Sequence, residues 1–243
     1  MTGKTEMTKE ENHMTDNISD CMICGAELFY IPDIPVKAKC FFCGREYVTN
    51  VFCMNGHYVC DECHRGRILE IIEKTCMESN ISDPAELLGE IFMIPGLHMH
   101  GPEYHSIVPA VIVAAYGNMS GTKNAADIKE ALRRGKDIGG GVCGTHGACG
   151  AAVGAGTAYS VINKVTPLSA EERGAANKVT AAALEAVAAF GGPRCCKRDS
   201  MAAVDASRDM FGIFPEAPEV HPYVCSQYKE NKTCIGLRCP YHP

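Results

Sequence analysis

The sequence predicts an α+β chain: a small module of paired cysteines at the front, followed by a mostly α-helical, cysteine-rich domain. Three observations carry this. Between residues 19 and 65 the chain is dense in cysteine, aromatic and turn residues and poor in helical pattern. From residue 61 onward, apolar residues recur at helical spacing between recognisable caps and stops. No run in the back half alternates polar and apolar residues as a half-buried strand would.

Residues 1–18 read as a disordered leader, 19–80 as the front module and 81–243 as the helical domain. "DECHRGRILEIIEKTCMES" (61–79) puts Ile68, Leu69, Ile71 and Ile72 at helical spacing. "NISDPAE" follows as a turn, with Ser82 or Asp83 as an N-cap and Pro84 at the first helical position. Further helices are predicted over 84–93, 104–117, 124–135, 147–164, 169–190 and 199–211. The fifth opens on a capping signature, Ser169 to Glu172, and ends at "GGP". The proline-bearing tail after residue 212 reads mainly as loop, tied down by whatever Cys225, Cys234 and Cys239 do.

At 243 residues the chain suits one large domain or two modest ones. A formal charge of −6 argues against a general nucleic-acid surface. The longest apolar run, 106–116, is too short to cross a bilayer and contains Pro109, so no membrane role is expected. Fifteen cysteines are the anomaly. The N-terminus, "MTGKTEMTKEENHMTDNISD", has no apolar core of the signal-peptide kind. A cytoplasmic protein with metal or redox thiols is therefore expected, rather than a secreted disulfide framework.

The front cysteines fall into four pairs: Cys21/Cys24, Cys40/Cys43, Cys53/His57 and Cys60/Cys63. Two of them read CxxCG, a knuckle that turns both thiolates toward one ion. Eight soft ligands in four pairs fit two tetrahedral zinc ions. "CFFCGREYVTNVFCMNGHYVCDEC" resembles a treble clef, with a knuckle, a β-hairpin and a second pair in the first turn of a helix. That joins Cys40/Cys43 with Cys60/Cys63 and leaves Cys21/Cys24 for Cys53/His57, a cross-braced arrangement like that of RING-type fingers. Sequential pairing, Cys21/Cys24 with Cys40/Cys43, is the alternative. His64 could replace His57, but just beyond Cys63 it reads rather as a neighbour of the ligands or a surface residue, and Cys76 reads as a buried small apolar residue. Lys37, Lys39, Arg45, Arg65 and Arg67 are interleaved with acids, which favours bracing or a protein partner over nucleic acid for this module.

In the back half, "GGGVCGTHGACGAAVGAG" (139–156) lacks the lysine and hydroxyl residue of a phosphate-binding P-loop. It places Cys143, His146 and Cys149 where a helix should begin, and a thiol there is expected to have a lowered pKa. "GGPRCCKRDS" adds Cys195 and Cys196 beside Arg194, Lys197 and Arg198, and the tail adds Cys225, Cys234 and Cys239. A cysteine followed by proline, as at Cys239–Pro240, often closes an iron–sulfur ligand set. These seven cysteines are expected to converge on one iron–sulfur or redox-thiol centre, the surplus acting as reactive thiols. Disulfides or inert thiols are the competing reading. In "PGLHMHGPEYHSIVP", His98, His100, Glu103 and His105 lie within eight residues and suit a divalent ion or proton transfer. The three histidines form the candidate catalytic set with His146 and Arg194, for a small anionic or thiol substrate.

"HMHGPEYHSIVPAVIVAAY", "GGGVCGTHGACGAAVGAG", "GGPRCCKRDS" and "CIGLRCP" together resemble an uncharacterised prokaryotic cysteine-rich domain family. The resemblance implies anaerobic bacterial or archaeal company, and in some members fusion to methyltransferase domains. "GACGAAVG" is more loosely similar to a redox-active family named for a Cys…Gly-Cys-Ala-x-x-Gly…Cys…Cys signature, although here the order is Ala148, Cys149, Gly150, Ala151. Two functions are expected to compete. One is a metalloprotein performing electron, sulfur or thiol chemistry. The other is a non-catalytic assembly or oxygen-sensing protein whose metals only hold the fold.

Overall fold

Two knuckle turns organise the front of the chain. The computed structural model describes residues 21–243 apart from 22, 25, 32, 33, 67, 95, 96 and 218–222. The expected leader, 1–18, and Arg67 lie outside the described residues. Strand β2 (Val36–Lys39) reverses through Cys40–Cys43 into β3 (Glu46–Thr49), with Lys39 opposite Glu46 and Val36 opposite Thr49; β1 (Leu28–Tyr30) precedes this hairpin. Gly44, at φ 70°, closes the turn by donating to the Cys40 carbonyl at 2.9 Å, a backbone angle that glycine adopts without steric cost. Strand β4 (Val51–Cys53) pairs antiparallel with β1 and brings Leu28 opposite Cys53.

The expected hairpin between the second knuckle and Cys60/Cys63 is replaced by this double pairing. Only Asn50 separates β3 from β4, too little chain for either strand to fold back on the other. Each strand pairs instead with an earlier one. Helix α1 (Asp61–Arg65) follows, with Cys60 at its N-cap and Cys63 inside it.

The back half is helical: α2 (Ile68–Glu78), α3 (Pro84–Phe92), α4 (Tyr104–Ser120), α5 (Ala125–Lys136), the single turn α6 (Val142–Thr145), α7 (Gly150–Ile162), α8 (Glu171–Ala189) and α9 (Cys196–Ser207). Short 3₁₀ turns lie at Arg208–Phe211 and Gly236–Arg238. The architecture is therefore α+β, with strands only in the front module among the described residues. Helix α2 packs Ile68, Leu69, Ile72 and the fully buried Cys76 into the same apolar core as α3 and α4, so the helical core begins well before residue 80.

Three expectations change in detail. The helix expected over 147–164 begins at Gly150, because Gly147 at φ 64° breaks the chain between α6 and α7. Ser169 does not cap α8: its hydroxyl accepts from the Thr166 amide at 3.0 Å, and Ala170 occupies the N-cap without a side-chain bond. The last helix starts three residues earlier than expected, directly after Cys195. Asp83, by contrast, is the cap of α3 and accepts from the amides of Ala85 and Glu86 at 2.9 Å each.

Helix α4 is apolar on all sides, so it becomes the axis that α2, α3, α5, α7 and α9 surround. Pro109 inside it provides no amide for the His105 carbonyl, and two glycines pack against that stretch. A Cβ on Gly135 of α5 would lie 2.4 Å from the His105 carbonyl oxygen and from Ser106 Cα; one on Gly154 of α7 would lie 2.8 Å from the Pro109 ring. Backbone cannot yield as a flexible side chain does. Gly135→Ala should therefore destabilise the chain by about 1–3 kcal/mol, the usual range for overpacking, despite alanine's better helix propensity. Urea denaturation of the variant checks this, and an unchanged midpoint would contradict it.

Candidate metal centres and the cleft between them

The eight front ligands assemble as two groups of four. Cys21, Cys24, Cys53 and His57 form one, and Cys40, Cys43, Cys60 and Cys63 the other, the ligand atoms of each lying within 4.8 Å of one another. This is the interleaved arrangement. The Cys24 and Cys53 sulfurs are 3.5 Å apart, Cys43 and Cys60 are 3.9 Å apart, and His57 Nδ1 lies 3.2 Å from Cys24 Sγ. Zinc–sulfur bonds of about 2.3 Å at tetrahedral angles put sulfurs roughly 3.8 Å apart, so both groups could hold a zinc-like ion.

Backbone amides also point at these sulfurs: Ile23 at Cys21 (3.4 Å), Asn55 at Cys53 (3.3 Å) and Cys60 at Cys40 (3.4 Å). Burial raises the Cys40 pKa, but amide bonds from Cys43, Cys60 and Phe42 outweigh it and bring the thiol to about 6. The Ala26 amide and Asn55 bring Cys24 to about 6 as well. Such thiols are ready to bind a cation.

Helix α1 fastens the second group to the helical body. Arg65 is buried and donates to the carbonyls of Lys136 (2.8 Å) and Ile138 (3.0 Å), while Asp61 accepts from the Gly140 amide at 2.7 Å. Arg65 is thus a clamp and not part of a basic face. Between module and body lies a cleft of about 1170 Å³, whose walls include Tyr30, His64, His98, His100, Cys143, Arg194 and Cys196.

The expected catalytic histidines have different surroundings. His98 and His100 line the cleft. His100 bonds Asn231 Oδ1 at 3.3 Å, and burial, helped by Arg194, lowers its pKa to about 4, so it is neutral at pH 7. His105 touches the cleft but is buried, its ring against Gly150, and Nδ1 donates to the Ile138 carbonyl at 3.1 Å. Those contacts make it a strut between α4 and α7. His146 is exposed, bonds the Thr145 hydroxyl at 2.7 Å and does not line the cleft. Arg194 lines it and donates to Tyr30 Oη at 2.9 Å.

His64, which the sequence placed beside the zinc ligands, turns toward Glu103 and sits 3.1 Å from its Oε2. With His98 these two form a third group of ligand atoms within 4.8 Å. Thirty-nine residues separate His64 from Glu103, and no local pattern announces their meeting.

The seven back-half cysteines divide. All fifteen cysteines of the chain are free. Cys195, Cys225, Cys234 and Cys239 line one tight cavity together with Lys197, Arg198, Tyr223 and Tyr241. Cys143 and Cys196 line the large cleft, and Cys149 lines neither space. Where the sequence expects one centre, the seven line two spaces, four and two, with Cys149 in neither and close enough to Cys143 to feel its charge. The cause is α9: Cys195 precedes the helix and Cys196 opens it, so the adjacent side chains leave in different directions. Cys149 sits at the N-cap of α7, yet burial dominates there and pushes its thiol up to about 11, opposite to the expected activation.

Each sulfur of the four-cysteine cavity meets a donor. The Arg198 amide faces Cys195, the Gly236 amide lies 3.4 Å from Cys234, the Tyr241 amide faces Cys239, and the Tyr223 hydroxyl faces Cys225. The tail is held in place by the Cys225 amide, which donates to the Tyr241 carbonyl at 2.7 Å. Lys197 is buried beside this cavity, donates to the Phe92 carbonyl at 3.0 Å and lies over the Phe92 ring. A buried ammonium is costly unless negative charge lies near it, which four metal-bound thiolates would provide.

No helix among the described residues is long and apolar enough to cross a membrane. A family model described as a family of unknown function (DUF5714) matches residues 72–242. Neither a curated protein nor a solved structure matches the chain.

Proposed function

The chain belongs to DUF5714, a family of unknown function, and from its side-chain groupings we propose a metalloprotein that performs electron, sulfur or thiol chemistry. In this reading two zinc ions hold the front module, and an iron–sulfur cluster is held by Cys195, Cys225, Cys234 and Cys239. The observation that carries it is four cysteines around one cavity, each sulfur facing a hydrogen-bond donor. Hydrogen bonds to the sulfurs and nearby buried cations are what set a cluster's potential, and Cys239–Pro240 suits the last ligand. When bound, such a cluster would supply one-electron transfer.

The residues of the chain then have separate tasks. Lys197 and Arg198 offset thiolate charge, and Tyr223 and Tyr241 limit water at the sulfurs. The neighbouring cleft, with Arg194 and the thiols Cys143 and Cys196, would receive a small anionic or thiol substrate. The presence of this cleft favours chemistry over a purely structural role for the metals.

Anaerobic purification with iron, sulfide and zinc quantification tests the reading. Cys234→Ser should lose the visible chromophore and most of the iron while keeping zinc and helical circular dichroism. Iron-free wild-type protein, or iron unchanged in the variant, would refute it.

A further inference from the structure

We propose that His64, His98 and Glu103 bind a third ion, a divalent transition metal whose remaining coordination positions open into the cleft. This does not rest on the four-cysteine site. The Glu103 side chain is 0 % exposed. Its Oε2 lies 3.1 Å from His64 Nδ1 and its Oε1 3.5 Å from His98 Nδ1. The first contact is an ordinary hydrogen bond. The second is an ion-pair contact at the outer limit of hydrogen-bond distance, and both of its atoms, Glu103 Oε1 and His98 Nδ1, are buried and make no well-formed hydrogen bond.

Two orphaned polar atoms facing each other in a buried pocket need an explanation, and a shared cation satisfies both at once. An imidazolium–carboxylate pair between His64 and Glu103 would leave the other two atoms unsatisfied.

The surroundings look built for this grouping. Its three members come from α1, the 98–101 loop and the start of α4, and α1, which follows the second cysteine group, carries the first of them. Gly101 makes room for the carboxylate: a Cβ there would fall 2.5 Å from Glu103 Cδ and Oε1. His64, His98, Gly101 and Pro102 all line the cleft. Two histidines and one carboxylate would leave coordination positions for water or an anion, unlike the two four-ligand groups of the front module. The set suits iron(II) or zinc(II), and Lewis-acid activation of a cleft ligand follows from the open positions.

The test uses the zinc-loaded full-length chain, dialysed against a weak chelator that leaves thiolate-bound zinc in place and then titrated with cobalt(II). Wild type should bind one additional cobalt per chain, with the weak visible bands of nitrogen and oxygen ligation. Glu103→Gln and His98→Ala should each lose that ion without losing zinc. The His98 side chain is 35 % exposed, so its truncation does not empty the core, and it decides the matter alone if Glu103→Gln fails to fold. Equal cobalt binding in wild type and His98→Ala, or thiolate-to-cobalt bands in place of the weak ones, would overturn the proposal.

Discussion

With the two proposed zinc ions in place, Cys60→Ser should release one of them and unfold the front module while α3 to α9 remain helical. Structural zinc in small modules supplies on the order of 10–16 kcal/mol of apparent folding energy, more than this segment can draw from its own packing. Strands β1 to β4 have three or four residues each and form two separate pairs, and most of their side chains are only half buried. Cys60 is also the N-cap of α1, the helix that carries Asp61, His64 and Arg65 to the helical body. Losing this zinc therefore removes the docking contacts together with the ligand group. Cys24→Ser should release the other zinc and leave α1 docked, because none of those contacts comes from the first group. Zinc quantification and limited proteolysis distinguish the two variants. Unchanged zinc in Cys60→Ser would contradict the assignment.

How much of this could be read from the sequence depends on distance along the chain. The cysteine pairs are local: two ligands three residues apart in a turn must face one ion, and Gly44 marks the turn. The helices were legible for the same reason, since apolar spacing and caps such as Asp83 act within a few residues. The strands were not. Three or four residues carry too little alternation to say whether β3 pairs forward with β4 or back with β2.

Long-range juxtapositions were the least legible. Nothing near His64 indicates Glu103, and nothing near Cys195 indicates that Cys225, Cys234 and Cys239 share its cavity while Cys196 belongs to the cleft. Cys149 has a raised and not a lowered pKa at the start of α7, because burial, which sequence spacing does not report, outweighs the amides there.

Arg208→Ala should cost about 3 kcal/mol, the lower end of the range for breaking a buried ion pair. Arg208 is 1 % exposed. It donates to both carboxylate oxygens of Asp83, at 2.6 and 2.9 Å, and to Asp205 at 3.1 Å. Asp83 meanwhile caps α3, so one fork joins the start of that helix to the end of α9. The lower end applies because the Asp83 side chain is partly exposed and can recover water when the guanidinium is gone. Against a total stability of about 5–15 kcal/mol the loss is large.

Its pH dependence gives a second check. Burial alone would raise the Asp83 pKa, but Arg208 and the two capping amides hold it below the ordinary value. A depressed carboxylate stabilises the fold above its unfolded pKa of about 3.9 and loses that contribution as pH falls through the lower folded value. Without Arg208 the folded value returns toward the unfolded one. The stability gap between wild type and variant should therefore be full at neutral pH and narrow once the pH drops below about 4. Asp83→Asn keeps a capping side chain and removes only the charge, so it should reproduce that narrowing with α3 still capped. Urea midpoints across the acid range provide the measurement, and a gap that stays constant into acid would mean that the charge of this pair contributes nothing.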